Sequence, residues 1–190
     1  SLVFLTRARA VADMNEQNAA ILRKAGVRAV AVQPGHSAAF AAFAPQRLDP
    51  ASSVFAALPK AARDFDAPMP RFADRPLDIL FFGSHSSRRE KLLATYAETF
   101  ARLNAFIYYS KAPRPLTAEH NPMAASHVTA ALLQRAKILL NLHRDEYTYF
   151  EWWRLMQAFW QKTAVVSEAC FPHRIFKPGV HYFEEAPRHI

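Results

Sequence analysis

Polar and charged residues that could handle an anion recur just behind short apolar runs of the chain. Gly83-Ser84-His85-Ser86 follows Asp78 to Phe82 and is succeeded by Arg88 and Arg89; Ser110-Lys111 follows Ala105 to Tyr109. Asn141, His143 and Arg144 close the run Lys137 to Leu142, and Glu168 closes Thr163 to Ser167. A glycine turn running into a helix lets backbone N–H groups approach an anion closely, and the positive end of the helix dipole favours it there. Arginines in that first turn oppose the dipole, so a phosphate-facing role is one reading of Arg88 and Arg89; a polar turn with solvated arginines is the other. His143 is a candidate proton donor or hydroxyl contact, with a structural hydrogen-bonded histidine as the equal alternative. Glu151 and Arg154, three apart, suit either a site role or an intrahelical ion pair.

These residues matter only if the elements between them bring them to one place. The apolar runs are short and continuous, the pattern of strands buried on both faces. Between them, Arg88 to Leu103 carries an apolar stripe at Leu92, Leu93, Tyr96, Phe100 and Leu103, and helices are expected over Val128 to Arg135 and Tyr149 to Trp160. In the last, Trp152, Trp153, Phe159 and Trp160 cannot share one face, so core packing claims some and a groove or neighbour the rest. Alternating strands and helices predict an α/β fold, a Rossmann-like parallel sheet with helices on both faces, whose ligands bind at the carboxyl ends of the strands.

Upstream, a short apolar run over Leu2 to Thr6, a helix over Ala12 to Lys24 stopped by Gly26, and a strand over Val27 to Val32 form a βαβ-type alternation. His36 to Arg75 is rich in proline, with a short helix expected over Ser53 to Leu58, and reads as a connection. The expected division is therefore 1–75, the end of an N-terminal domain with its connection, and 76–190, a Rossmann-like domain. The ends at Ser1 and Ile190 suggest a fragment cut on both sides.

With 51% hydrophobic and 13% aromatic residues, the chain is neither disordered nor fibrous, and no stretch is long and apolar enough to span a bilayer. Its formal charge of +8, from 24 Lys and Arg against 16 Asp and Glu, favours an anionic partner or serves only as a solubilising surface. One cysteine, Cys170, permits no internal disulfide and points to a reducing, cytoplasmic setting; the thiol reads as structural. No GxGxxG, Walker, HExxH or Gly-x-Ser-x-Gly pattern occurs, so no metal, no bound cofactor and no serine hydrolase are expected. The basic residues are not interleaved with aromatics as in an RNA-binding motif, which sets nucleic acid aside as the leading partner.

Ala136 to Glu168 resembles the donor-binding core of retaining GT-B glycosyltransferases, and more closely the "glycosyl transferases group 1" and spore-maturation-type families. The resemblance is carried by a strand ending Leu140-Asn141-Leu142-His143, by Glu151-x-x-Arg154, and by Val165-Val166-Ser167-Glu168. Asp78 to Ser84 with Arg88-Arg89 is similar to the opening strand and glycine loop of that domain, and Phe176 to Phe183 to its Pro-Gly-Val segment. The resemblance implies the donor-binding half of a GT-B fold and metal-independent, retaining transfer from a nucleotide-diphosphate sugar to an unidentified acceptor, with a missing N-terminal acceptor domain as partner. It implies donor contacts at Gly83, Ser84, Arg88, Arg89, Lys111, Asn141, Tyr149, Arg154, Gln157 and Glu168, and catalytic roles for His143 and Glu151. The chain departs from the family where a pair of glutamates normally brackets the helix start. Tyr149 and Gln157 stand there, Glu151 is offset, and Lys162 lies near an expected glycine. A catalytically silent nucleotide-binding module, or one that binds nucleic acid or another acidic polymer, is the alternative function.

Overall fold

A computed structural model describes residues 5–33, 35, 47–66, 70–111, 121–171, 173 and 175–189. The first unit is a strand, β1 (Val11–Asp13), a helix, α1 (Glu16–Lys24), and a second strand, β2 (Ala29–Ala31), parallel to the first. The helix begins at Glu16, four residues later than its composition predicts. Val11 to Asp13 pairs with β2 instead, and the Asn15 side chain accepts the amides of Gln17 and Asn18 to cap the first turn. Gly26, at φ 81°, ends it in the left-handed region. Leu5 and Thr6 are helical rather than extended, and the rest of the expected Leu2 to Thr6 run lies outside the described residues. A short helix, α2 (Ser53–Ala57), is capped by the Ser52 hydroxyl, and most of the proline-rich stretch before it is likewise undescribed.

The main sheet has five parallel strands: β3 (Leu77–Ser84), β4 (Ala105–Ser110), β5 (Ala136–Asn141), β6 (Ala164–Ser167) and β7 (Phe183–Glu184), in the order β4-β3-β5-β6-β7. Between them run α3 (Ser87–Thr95), α4 (Ala97–Ala101), α5 (Ser126–Leu133) and α6 (Trp152–Trp160). The residues alternate faces. Leu80, Leu139 and Val165 pack with α5 and α6, while Phe81 and Leu140 pack with Leu93 of α3 and Phe100 of α4. Burial on both faces is what the continuous apolar strands require. The single helix expected over Arg88 to Leu103 breaks at Tyr96, yet its stripe survives because Leu93 and Phe100 still reach one core.

Helix α6 starts at Trp152, not Tyr149. The Thr148 carbonyl is committed to the Phe171 amide, and the Phe150 ring packs against Trp152, His173, Phe176 and Tyr182, which holds this segment extended. At the other end Lys162 takes φ 54°, a left-handed conformation usually given to glycine, and the next amide, Thr163, bonds back to Ala158. A mixed α/β architecture with an all-parallel sheet flanked by helices is Rossmann-like. None of the described helices is long and apolar enough to cross a membrane.

Candidate functional site

Strands β3 and β5 are neighbours in the sheet although β4 intervenes in sequence, so the chain leaves β3 in one direction and returns on its other side. Such a switch in strand order opens a crevice at the carboxyl ends, where ligands of open parallel sheets bind. Here β3 ends at Gly83-Ser84 and β5 at Asn141. One strand further, Ser167 pairs in register with Asn141.

The crevice is bridged by Arg89. Ser86 caps α3 through the Arg89 amide, and the Arg89 side chain then turns back over the sheet. Its Nε and Nη2 donate to the Leu142 carbonyl at 3.0 and 2.6 Å, and Nη1 donates to the Ser84 carbonyl at 2.9 Å. Nη2 also meets Glu151 Oε1 at 3.0 Å, and the side chain is only 2% exposed. Glu151 uses its other oxygen for Arg154 Nη2 at 2.8 Å, and Arg154 Nη1 donates to Asn141 Oδ1 at 3.0 Å. The Asn141 amide passes a hydrogen bond on to Ser167 Oγ at 2.9 Å, and that hydroxyl donates to the Glu168 carbonyl. The guanidinium of Arg154 lies over the rings of Phe81 and Phe82, each within about 6 Å of the centroid.

Gly83 has a role different from the one its position suggests. A Cβ there would lie 2.8 Å from Arg89 Nη1 and 3.2 Å from Arg154 Nη2. The glycine makes room for two guanidinium groups packed side by side.

Arg88 points the other way. It forks onto the Glu168 carboxylate and donates to the His143 carbonyl at 3.1 Å, and its hydrogen bonds to Glu168 hold its pKa above the ordinary arginine value. Glu168 also accepts the His143 amide, so this buried carboxylate is fully engaged. The His143 imidazole is 1% exposed, with Nε2 at 3.0 Å from the Ala169 carbonyl and Nδ1 buried without a partner. A ring whose Nε2 faces a carbonyl carries its proton there. Cys170 lies 3.9 Å from the same nitrogen, but burial raises its thiol to about 11, which keeps it protonated at neutral pH.

Two hollows open along this edge. The larger, about 650 Å³, has Tyr149, Glu151, Trp153, Arg154 and Gln157 on one wall. Asp13, Asn15 and Asn18, from the carboxyl end of β1 and the start of α1, also line this hollow. The smaller, about 230 Å³, is bounded by Gly83, Ser84, Tyr108, Asn121 and Arg154. The two share Phe82, Met123 and Arg154. Glu151 stands at the N-cap position of α6 but makes no capping bond with its side chain, because both oxygens serve arginines. The first residues of α6, Trp152, Trp153 and Arg154, line the larger hollow, and the Trp152 amide is committed to the Phe150 carbonyl.

Ser84, Arg88, Arg89, Asn141, His143, Glu151, Arg154 and Glu168 thus form one hydrogen-bonded web with Gly83 packed against two of its arginines, and Tyr149 and Gln157 line the larger cavity beside it. Lys111 follows the edge strand β4, is exposed, and lines neither hollow. Sequence reasoning missed Asp13, Asn15 and Asn18. Their signal is the same one that found the others, polar residues just past a strand, hidden because the expected helix over Ala12 to Lys24 takes in Ala12 and Asp13 of that strand. Among the described residues no three His, Cys, Asp or Glu side chains gather as a metal site requires. Comparison of the chain with protein-family models, with curated proteins and with solved structures gives no match in any of the three.

Proposed function

We propose that this chain is the nucleotide-sugar-binding half of a metal-independent glycosyltransferase. The observation that carries the reading is the 650 Å³ cavity set at the carboxyl edge of a parallel sheet, between the α6 N-terminus and a second βα unit. Its lining has the groups such a donor needs. Trp153 and Tyr149 are exposed aromatic surface for a base or sugar ring, and Gln157, Asn15 and Asn18 are carboxamides suited to hydroxyl groups. Arg154 and the helix N-terminus supply fixed positive potential where a departing diphosphate would gather charge.

Neither Glu151 nor His143 is set up as a general base, since the first is shared by two guanidinium groups and the second is buried and lines neither hollow. This half would bind and align the donor and stabilise the leaving group, with front-face attack and retention as the expected course. The same engagement of both site carboxylates favours a second reading, a nucleotide-binding module without turnover.

Calorimetric titration with UDP and GDP is the test, and saturable binding of at least one is expected. Absence of binding by a panel of nucleoside diphosphates, with no shift in Tm, would remove both readings. Binding without release of nucleoside diphosphate from any sugar nucleotide, even with acceptors supplied, would select the second.

A further inference from the structure

We propose that the wall shared by the two hollows is a phosphoryl-binding site in which Arg154, rather than Arg88 or Arg89, makes the contact. The inference rests on the reading above for the nucleotide attached to that phosphate, and not for the anion itself.

Charge within the web is unevenly matched. Arg88 and Glu168 form a closed pair. Arg89 and Arg154 have one carboxylate between them, Glu151, which gives one oxygen to each. Two cations against one anion leave an excess of one positive charge, at side chains only 2%, 11% and 13% exposed. In so dry a place water screens poorly and an uncompensated charge is expensive, so an anion is favoured there. The protein registers the imbalance at Arg89, whose pKa falls to about 10 through burial first and repulsion from Arg154 second.

Geometry decides which arginine meets the anion. Arg89 is directed at the Leu142 and Ser84 carbonyls and Glu151, and it lines neither hollow. Arg154 lines both. Beside it in the smaller hollow are Ser84 and Asn121, polar side chains of the size that accompany a cation on phosphate oxygens. The smaller hollow has Arg154 and no carboxylate in its lining, whereas the larger adds Asp13 and Glu151 and so suits the uncharged part of a ligand. A phosphate ester would therefore lie across the seam, its phosphoryl group toward Gly83-Ser84 and the remainder toward Trp153.

Loss of Arg154 leaves Glu151 paired one to one with Arg89, so Arg154→Gln should fold, whereas Arg89→Gln would also take the donor away from the Leu142 and Ser84 carbonyls. Titration with pyrophosphate and with inorganic phosphate tests the site without a nucleoside. Wild-type protein is expected to bind pyrophosphate, and Arg154→Gln to weaken it about tenfold or more, the loss of one charge-assisted contact. On wild-type protein, guanidinium NMR signals should report the same choice whatever the variant does: the Arg154 Nε–H resonance moves with pyrophosphate and that of Arg88 stays. Failure of pyrophosphate to bind, equal affinity in Arg154→Gln, or movement of Arg88 alone would overturn the assignment. Nucleotide binding that survives any of those results would leave the functional reading standing, whereas pyrophosphate binding without nucleotide binding would do the reverse.

Discussion

Two buried arginines stand at opposite ends of the same sheet, and they do different things. Arg75 lies at the amino end, just before β3, 5% exposed. Its guanidinium donates to the carbonyls of Ala136, Gln161 and Leu133 and to the Thr163 hydroxyl, tying together the entries to β5 and β6. All four acceptors are neutral and none of the hollows described above borders the group. Arg89, at the carboxyl end, also binds two carbonyls, but it shares a carboxylate with a second arginine beside a 230 Å³ hollow. The first arrangement is a strap on neutral acceptors, with Nε buried and unpartnered among the described residues. Both ends carry positive charge without a full complement of carboxylates, but only the second opens onto a hollow through Arg154, which is the physical difference between a structural arginine cluster and one prepared for a ligand.

The largest effect expected from breaking this comparison is at the amino end. Arg75→Met should lower stability by about 3 kcal/mol or more, because it leaves several buried carbonyls without donors. Chemical denaturation would show this as a lower midpoint at unchanged slope, and nucleotide affinity measured on the remaining folded protein should not change. A fall in affinity larger than the fall in stability would mean that the two ends are not separate in function.

Gly83→Ala tests the carboxyl end with a single methyl group. Its Cβ would meet Arg89 Nη1 at 2.8 Å, so the guanidinium must move off the Ser84 carbonyl. A cost of about 1 to 3 kcal/mol is expected from overpacking. Here, unlike at Arg75, loss of pyrophosphate affinity should accompany loss of stability, since the displaced Arg89 disturbs Glu151 and through it Arg154. Calorimetry on the variant checks both.

The smallest effect belongs to the ion pair at the entry to β3. Lys137 Nζ lies 2.8 Å from Asp78 Oδ1, and hydrogen bonds from Lys137 and the Asn104 amide hold the Asp78 carboxyl below its usual pKa. A carboxyl depressed in the folded state adds stability that is present above its unfolded pKa, near 4, and is lost as pH falls through the lower folded value. The pair is partly exposed and should contribute under about 1 kcal/mol. Asp78→Asn should therefore flatten the acid limb of the stability profile slightly below pH 4 and leave neutral stability nearly as it was. An acid limb identical to wild type would count against the pair.

The sheet was legible because its strands announce themselves. Asp78 to Phe82, Ala105 to Tyr109 and Lys137 to Leu142 are apolar runs bounded by polar turns, and all three fall on observed strands. Short elements were harder. Val11 to Asp13 is three residues long and lacks an apolar run, so only its pairing with Ala29 to Ala31 defines it, a long-range contact that local pattern does not encode. The same holds for side-chain direction. The arginines after Gly83 read as groups for an anion, and the carboxylates that claim them, Glu151 and Glu168, lie 62 and 80 residues further on. Which charge meets which is fixed by strand order, and strand order is not visible in spacing. Tyr149 illustrates a third limit: helix α6 starts three residues after it because an aromatic cluster around Phe150 competes successfully with helix propensity.

A crystal structure of the protein soaked with UDP or GDP tests the central proposal most directly. The account predicts the nucleotide along the carboxyl edge, a phosphoryl group within hydrogen-bond distance of Arg154 and the nucleoside in the cavity between Asn15 and Trp153. A nucleotide bound at the amino edge near Arg75, or on the sheet's outer face away from Gly83 and Asn141, would contradict it.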